Sequence, residues 1–219
     1  MPASAPETNS APARRPVFIN CPFDPAYRPL FRAMCFGVAA CGYKPRCALD
    51  ESDSAAIRFN RILDLITEAD FSIHDLSRVE VDSSSGLPRF NMPLELGADL
   101  ALRLRGPARH RRRRVLVLDA VLHRYDQTLS DISGMDIEAH GNEPARVIAA
   151  VRDWLNSGRG SVPPLPGAAA IVADYAALQD VAAEIIARLR LDQFDMLPHV
   201  DFLYVVEAAL PMIEAARTT

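Results

Sequence analysis

At 219 residues, 49% hydrophobic and 24% charged, the chain is long enough for one ordinary core with a small appendage and has the balance of a soluble globular protein. A formal net charge of -4 excludes a surface built throughout for nucleic acid, so nucleic acid is not the expected partner. No apolar run approaches the roughly 20 residues that span a bilayer, and the N-terminus lacks the apolar stretch of a signal peptide, so a cytoplasmic protein without membrane association is expected.

Residues 1–13 are rich in Pro, Ala and Ser and carry too little apolar surface to offset the entropy of ordering; residues 1–14 are read as a flexible tail. Val17-Phe18-Ile19-Asn20 reads as a first strand, residues 27–41 as a helix stopped by Gly42, and residues 46–49 as a short second strand before a turn at 50–53. Residues 54–68 place Ile57, Ile62, Leu63, Leu65 and Ile66 at near-helical spacing. Phe71 to Asp75 is a third strand, residues 78–89 a polar loop and residues 91–104 a helix bearing Glu95. Val115-Leu116-Val117-Leu118-Asp119 is a continuous apolar run of the kind buried in parallel sheets, residues 135–138 form a fifth strand, and residues 144–155 close the unit as a helix.

Strands alternating with helices at this spacing predict an α/β fold: a doubly wound, mostly parallel, five-stranded flavodoxin-like sheet of order 2-1-3-4-5 over residues 15–157. Residues 158–219 read as a linker followed by a helical C-terminal extension, which would be a lid, a dimerisation element or packing on the sheet. Cys21, Cys35, Cys41 and Cys47 lack the close paired spacing of a zinc site and are read as buried, reduced small hydrophobes; no metal or cofactor is expected.

Several chemistries common on such sheets fail against the residues. Neither Gly-x-Gly-x-x-Gly nor Gly-x-x-x-x-Gly-Lys follows the first strand, which removes dinucleotide redox and phosphate-loop readings. A receiver domain would match Asp75 but needs an acidic pair where Asn20-Cys21 stands, and a late lysine in a chain whose single lysine is Lys44. There is no Gly-x-Ser-x-Gly elbow, and the five histidines have no zinc-protease spacing.

What remains is a pair of acids at the carboxyl edge of the sheet: Asp75 at the end of the third strand and Glu95 early in the following helix, both able to face one crevice. Three segments together resemble the nucleoside 2-deoxyribosyltransferase and TIR-like superfamily: Phe18-Ile19-Asn20-Cys21-Pro22-Phe23-Asp24, Ala69-Asp70-Phe71-Ser72-Ile73-His74-Asp75-Leu76-Ser77, and Pro93-Leu94-Glu95-Leu96-Gly97. The resemblance covers about residues 17–119. It implies that Glu95 is the catalytic residue and that Asp75 helps hold the nucleoside. The pattern is closer to the TIR-like proteins of bacterial anti-phage defence, many of which cleave NAD, than to a salvage enzyme. It departs from the family in its long loop at 78–89, in Asn91-Met92 where a TIR protein has Trp-Cys, and in its helical tail.

The resemblance therefore implies an N-glycosidase (a hydrolase) that breaks the nicotinamide–ribose bond of NAD or a related nucleotide, with NAD as substrate and not cofactor, and with a homo-oligomer or a partner as activator. A carboxylate suits that chemistry because it stabilises or captures the oxocarbenium-like sugar, and nicotinamide leaves without a strong general acid. Asp75, Asn20, Cys21, Phe23, Asp24, Tyr27, Ser77 and Asn91 are the candidate substrate-binding residues: Asp75 toward ribose, the backbone of residues 21–24 toward phosphate, Phe23 and Tyr27 toward a base. Two alternatives stand beside it, a non-catalytic TIR-like module that binds nucleotide or protein, and a nucleoside 2-deoxyribosyltransferase. Each residue also has a structural explanation: the helix dipole for Glu95, a turn cap for Asp75, core packing for His74, Phe23 and Tyr27, turn-making for residues 131–136, and a solvated loop for the basic run 109–114.

Overall fold

The computed structural model describes residues 13–50, 53–78, 86–87, 89–160 and 162–217. In chain order the elements are β1 (Pro16–Asn20), α1 (Arg28–Ala40), β2 (Lys44–Arg46), α2 (Arg58–Glu68), β3 (Phe71–Asp75), α3 (Asn91–Arg105), β4 (Arg114–Asp119), β5 (Ile137–Ala139), α4 (Pro144–Ser157), α5 (Ala168–Leu189) and α6 (His199–Arg217). Every strand pairing is parallel and the order is β2-β1-β3-β4-β5, so the flavodoxin-like doubly wound sheet is formed as expected. The chain leaves β1 toward β2 and leaves β3 toward β4. The carboxyl ends of β1 and β3 therefore flank the topological switch point, where open α/β sheets bind ligands.

Side chains alternate across the sheet with period two. Val17, Ile19, Phe71, Ile73, Leu116 and Leu118 share a cluster with α1 and α4. From the other face Phe18 meets Ile62, Leu65 and Ile66 of α2, and Val117 meets Met92 and Leu96 of α3. Helices that follow parallel strands begin at the carboxyl edge, so α1, α2 and α3 all aim their N-termini at the switch point.

Several boundaries differ from expectation for local reasons. The second strand lies at Lys44–Arg46 and not at 46–49: Gly42 (φ 81°) returns the chain to the sheet early, and the Cys47 N–H is diverted to Asp50 Oδ1 at 3.2 Å. α2 starts at Arg58 and not at residue 54, because Asp53 Oδ1 captures the Ala55 N–H at 2.9 Å and holds a turn there. β5 starts at Ile137 because Gly134 (φ 93°) and a Met135 N–H to Ile132 carbonyl bond keep the preceding residues in a turn, the role expected of them. Residues 1–12 of the expected tail and most of the 78–89 loop lie outside the described residues.

The C-terminal helices pack on the α1/α4 layer and not on the sheet itself. Ile171, Leu178, Ala182 and Ile185 of α5 and Phe202, Val205, Val206 and Ala209 of α6 join the same cluster as β1 and α1. Buried Arg32 of α1 clamps their connection, donating to the carbonyls of Phe194 at 2.9 Å and Leu197 at 3.1 Å while its guanidinium lies 4.7 Å from the Phe202 ring centre. No helix among the described residues is long and apolar enough to cross a membrane.

Candidate functional site

α3 begins at Asn91, with Phe90 at the cap, and has no acid in its first turn. Glu95 therefore sits beyond the reach of the helix-terminus field, which fades within the first turn. Its side chain is half-buried, and no hydrogen bond or ion pair to it occurs among the described residues. Burial pushes its carboxyl up to about 7, against a smaller opposing pull from Arg58. Among the described residues Glu95 is thus a partly desolvated carboxylate with no hydrogen-bond or ion-pair partner, the state that marks a candidate site residue. Asn91, one turn earlier, is exposed on the same side of α3.

Arg58 and Arg78 flank this site. Arg58, the first residue of α2, is exposed and lies 5.9 Å from the Phe23 ring centre. Arg78, just past β3, stands 3.8 Å from Asp24 Oδ1, and Asp24 in turn accepts the Tyr27 N–H at 3.1 Å where the chain enters α1. Phe23 packs edge-on against Phe31, ring centres 5.2 Å apart, with part of its surface exposed. Ile57, Phe90 and Leu94 are exposed at the starts of α2 and α3, giving the rim an apolar border.

Asp75 lies elsewhere than the open crevice expected of it. It is completely buried on the α1/α4 side, where Oδ1 accepts the Ser77 N–H at 2.8 Å and Oδ2 contacts His140 Nε2 at 2.9 Å. His140 Nδ1 accepts the Asn142 N–H at 3.0 Å, so the ring proton is on Nε2 and is donated to Asp75, with Ser77 Oγ also 2.9 Å away. The hydroxyl of buried Tyr27 faces Asp75 without an aligned hydrogen bond, and burial followed by the Asp75 charge pushes the phenol well up. Cys21, buried at the end of β1, feels both acids: burial first, then Asp75, with a smaller part from Glu95, push its thiol up. Asp75 and Glu95 thus approach the strand end from opposite faces, and only Glu95 has solvent access.

Asn20 is buried as well and acts on α3. Its Nδ2 donates to His74 Nδ1 at 2.9 Å and to the Met92 carbonyl at 3.0 Å, tying the first turn of α3 to β1. That donation leaves the His74 proton on Nε2, which bonds Asp99 Oδ2 at 2.9 Å. Arg113 Nε lies 2.5 Å from Asp99 Oδ1, and its Nη2 caps the Ile66 and Ala69 carbonyls. Burial alone would raise the Asp99 carboxyl, but the hydrogen bonds from His74 and Ser72 and the Arg113 charge outweigh it and hold the group below its ordinary range. His74 is thus the satisfied core histidine expected. In the basic run only Arg109, Arg111 and Arg112 form the solvated stretch, whereas His110 and Arg113 turn inward.

The structure leaves Phe23, Asp24, Asn91 and Glu95 at least partly exposed, with Arg58 near both Phe23 and Glu95 and Arg78 near Asp24, and it buries Asn20, Cys21, Tyr27, Asp75 and Ser77. Arg58, Arg78, Asp99 and His140 belong to the site or its support without being singled out by the sequence. Arg58 and His140 were within reach of the topology, since each follows a strand at the carboxyl edge. The Asp99–Arg113 pair carries no local signal. An open groove of about 680 Å³ runs beside Arg114, Glu138 and Trp154, where short β5 pairs only with residues 117–119 of β4, and it does not include Glu95. No protein family, curated protein or solved structure matches the chain.

Proposed function

We propose that the protein is an N-glycosidase that cleaves the nicotinamide–ribose bond of NAD or a related nucleotide through Glu95, and that it belongs with the TIR-like and deoxyribosyltransferase proteins its motifs resemble. The observation that carries this reading is the state of Glu95: half-buried, without a partner among the described residues, and held near 7 at the switch point. Loss of nicotinamide leaves positive charge on the ribose, and a carboxylate in a desolvated site stabilises that charge far more than one in water. The substrate's own nicotinamide ring is cationic, so its arrival favours the ionised form of Glu95 before the bond breaks.

Arg58 and Arg78 supply two guanidiniums for a diphosphate, with the N-termini of α1 and α2 adding a favourable field. In this reading exposed Asn91 meets a ribose hydroxyl and half-buried Phe23 a base edge. Asp75 is a positioning residue: with Tyr27, Ser77 and His140 it fixes the β3 end beside the crevice and does not itself meet substrate. A role in anti-phage defence with activation by assembly, or by a partner, fits an enzyme that destroys a common metabolite, since such an activity must be held off until needed.

The test is product analysis by chromatography after incubating the purified protein, at several concentrations, with NAD and separately with a deoxynucleoside plus a free base. Nicotinamide release supports the reading. Base exchange without nicotinamide release transfers the assignment to a 2-deoxyribosyltransferase, and tight nucleotide binding without turnover in either assay transfers it to a binding module.

A further inference from the structure

A second cluster of chemically capable side chains lies where the first residue of α6 meets the turn after β2. We propose that Cys47, Asp50 and His199 form a zinc site that clasps the start of α6 to the turn after β2. Cys47 Sγ lies 3.3 Å from His199 Nε2 and 3.6 Å from Asp50 Oδ1, and His199 Nε2 lies 3.1 Å from the same Asp50 oxygen. Tetrahedral zinc with its usual bonds to sulfur, nitrogen and oxygen separates those pairs by about 3.6, 3.5 and 3.4 Å. The three donors therefore already form one face of such a tetrahedron to within a few tenths of an ångström.

The surroundings suit ligands more than they suit a plain hydrogen-bonded trio. The Leu49 N–H points at Cys47 Sγ at 3.3 Å, a donor that favours thiolate over thiol. Asp50 Oδ2 is held by Arg46 Nε at 2.5 Å, which aims Oδ1 at the other two donors as an outer-shell partner does. His199 opens α6, so the first residue of that helix brings Nε2 to the other two donors. In the metal-free protein the Asp50 carboxylate can only accept, so His199 Nε2 carries the ring proton and donates it at 3.1 Å; binding the ion through Nε2 moves that proton to Nδ1, which is buried with no hydrogen-bond partner among the described residues. A thiolate, an imidazole and a carboxylate together select a borderline-soft divalent ion, zinc foremost, over magnesium or calcium.

Two ligands are local, with two residues between them, and the third comes from 149 positions along the chain from Asp50, so the ion would cross-link segments that only the fold brings together. A groove of about 340 Å³ lined by Arg46, Asp64 and Glu68 reaches Cys47 and Asp50 and gives a fourth ligand, water, its way in. Burial and the Asp50 charge push the Cys47 thiol up, so in the metal-free protein it carries its proton; zinc displaces that proton to solvent as the sulfur–metal bond forms.

The test uses the untagged full-length protein, stripped with a chelator under reducing conditions and titrated with cobalt(II), then with zinc. The expected result is one equivalent of cobalt giving a thiolate-to-metal charge-transfer band with the intense visible bands of a four-coordinate site, both erased by one equivalent of zinc. Cys47→Ser removes the charge-transfer band, and His199→Gln weakens cobalt binding at least tenfold; zinc raises the melting temperature of the wild type but not of His199→Gln. Absence of a charge-transfer band in the wild type, or a band unchanged in Cys47→Ser, overturns the proposal. Should Cys47→Ser fail to fold, the wild-type spectrum and the His199→Gln titration decide alone.

Discussion

Glu95 is held against its solvation preference, and the sign of its effect on stability follows. Its folded value of about 7 lies above the ordinary 4.5, so the folded state binds the proton more tightly and loses stability as pH rises between those values. Glu95→Gln removes that cost. Allowing for partial solvent screening, it should stabilise the protein by about 1–2 kcal/mol at pH 8 while leaving it unchanged at pH 4, as read by denaturant melts at the two pH values. A loss of stability at pH 8 would assign Glu95 a structural role. With the carboxylate as the proposed active species, kcat/KM for NAD should rise with pH and level off above about 7; in Arg58→Ala, which loses the opposing positive charge, the midpoint should move upward and KM should rise about tenfold. Gly97, exposed on α3 with nothing among the described residues within 4 Å of where a methyl group would stand, has no packing reason among them to be glycine. Gly97→Ala should stabilise by about 0.5–1 kcal/mol, and a drop in turnover despite that gain would show that substrate passes close to the helix backbone there.

At the scale of elements, the placement of α3 decides where Glu95 points, and a buried relay sets that placement. Asn20 holds the Met92 carbonyl, His74 bridges Asn20 to Asp99, and Arg113 closes the far end. Asp99→Ala strands Arg113 without a counter-charge and the His74 Nε2–H without an acceptor in the interior and should cost about 3–5 kcal/mol, measured by urea melts. Asn20→Ala should cost less, about 1–3 kcal/mol, yet reduce kcat for NAD with little change in KM, because it frees the start of α3 without touching a substrate contact. The strands and helices themselves were legible, since Val115 to Leu118 and the Ile62–Ile66 spacing carry their periods openly. Their edges were not, because each misplaced boundary is set by one side chain capturing a backbone N–H: Asp50 at Cys47, Asp53 at Ala55. The position of Glu95 on the helix after the third strand was legible, whereas Asp75 was not legible as buried, because its cover comes from Tyr27 and from His140, which follows β5.

For the molecule as a whole, the sheet order followed from the alternation of elements, but the packing of the tail did not, since α5 and α6 meet α1 and α4 through apolar faces whose partners no local pattern names. The tail completes the core: Ile171, Leu178, Phe202 and Val206 sit in the same cluster as Val17 and Phe36. A chain ending at residue 157 would expose that surface and lose the Arg32 clamp, so it should be insoluble or lack a cooperative melt, whereas a separable extension would leave a well-folded remainder, as circular dichroism would reveal. Turnover by one side chain is the most direct test of the proposed activity. Wild type and Glu95→Gln, matched for concentration and for folding, should be compared for nicotinamide release from NAD at pH 8. Release by the wild type and a loss of about 10³-fold or more in the variant is the predicted result; equal release by both proteins would contradict the assignment of Glu95.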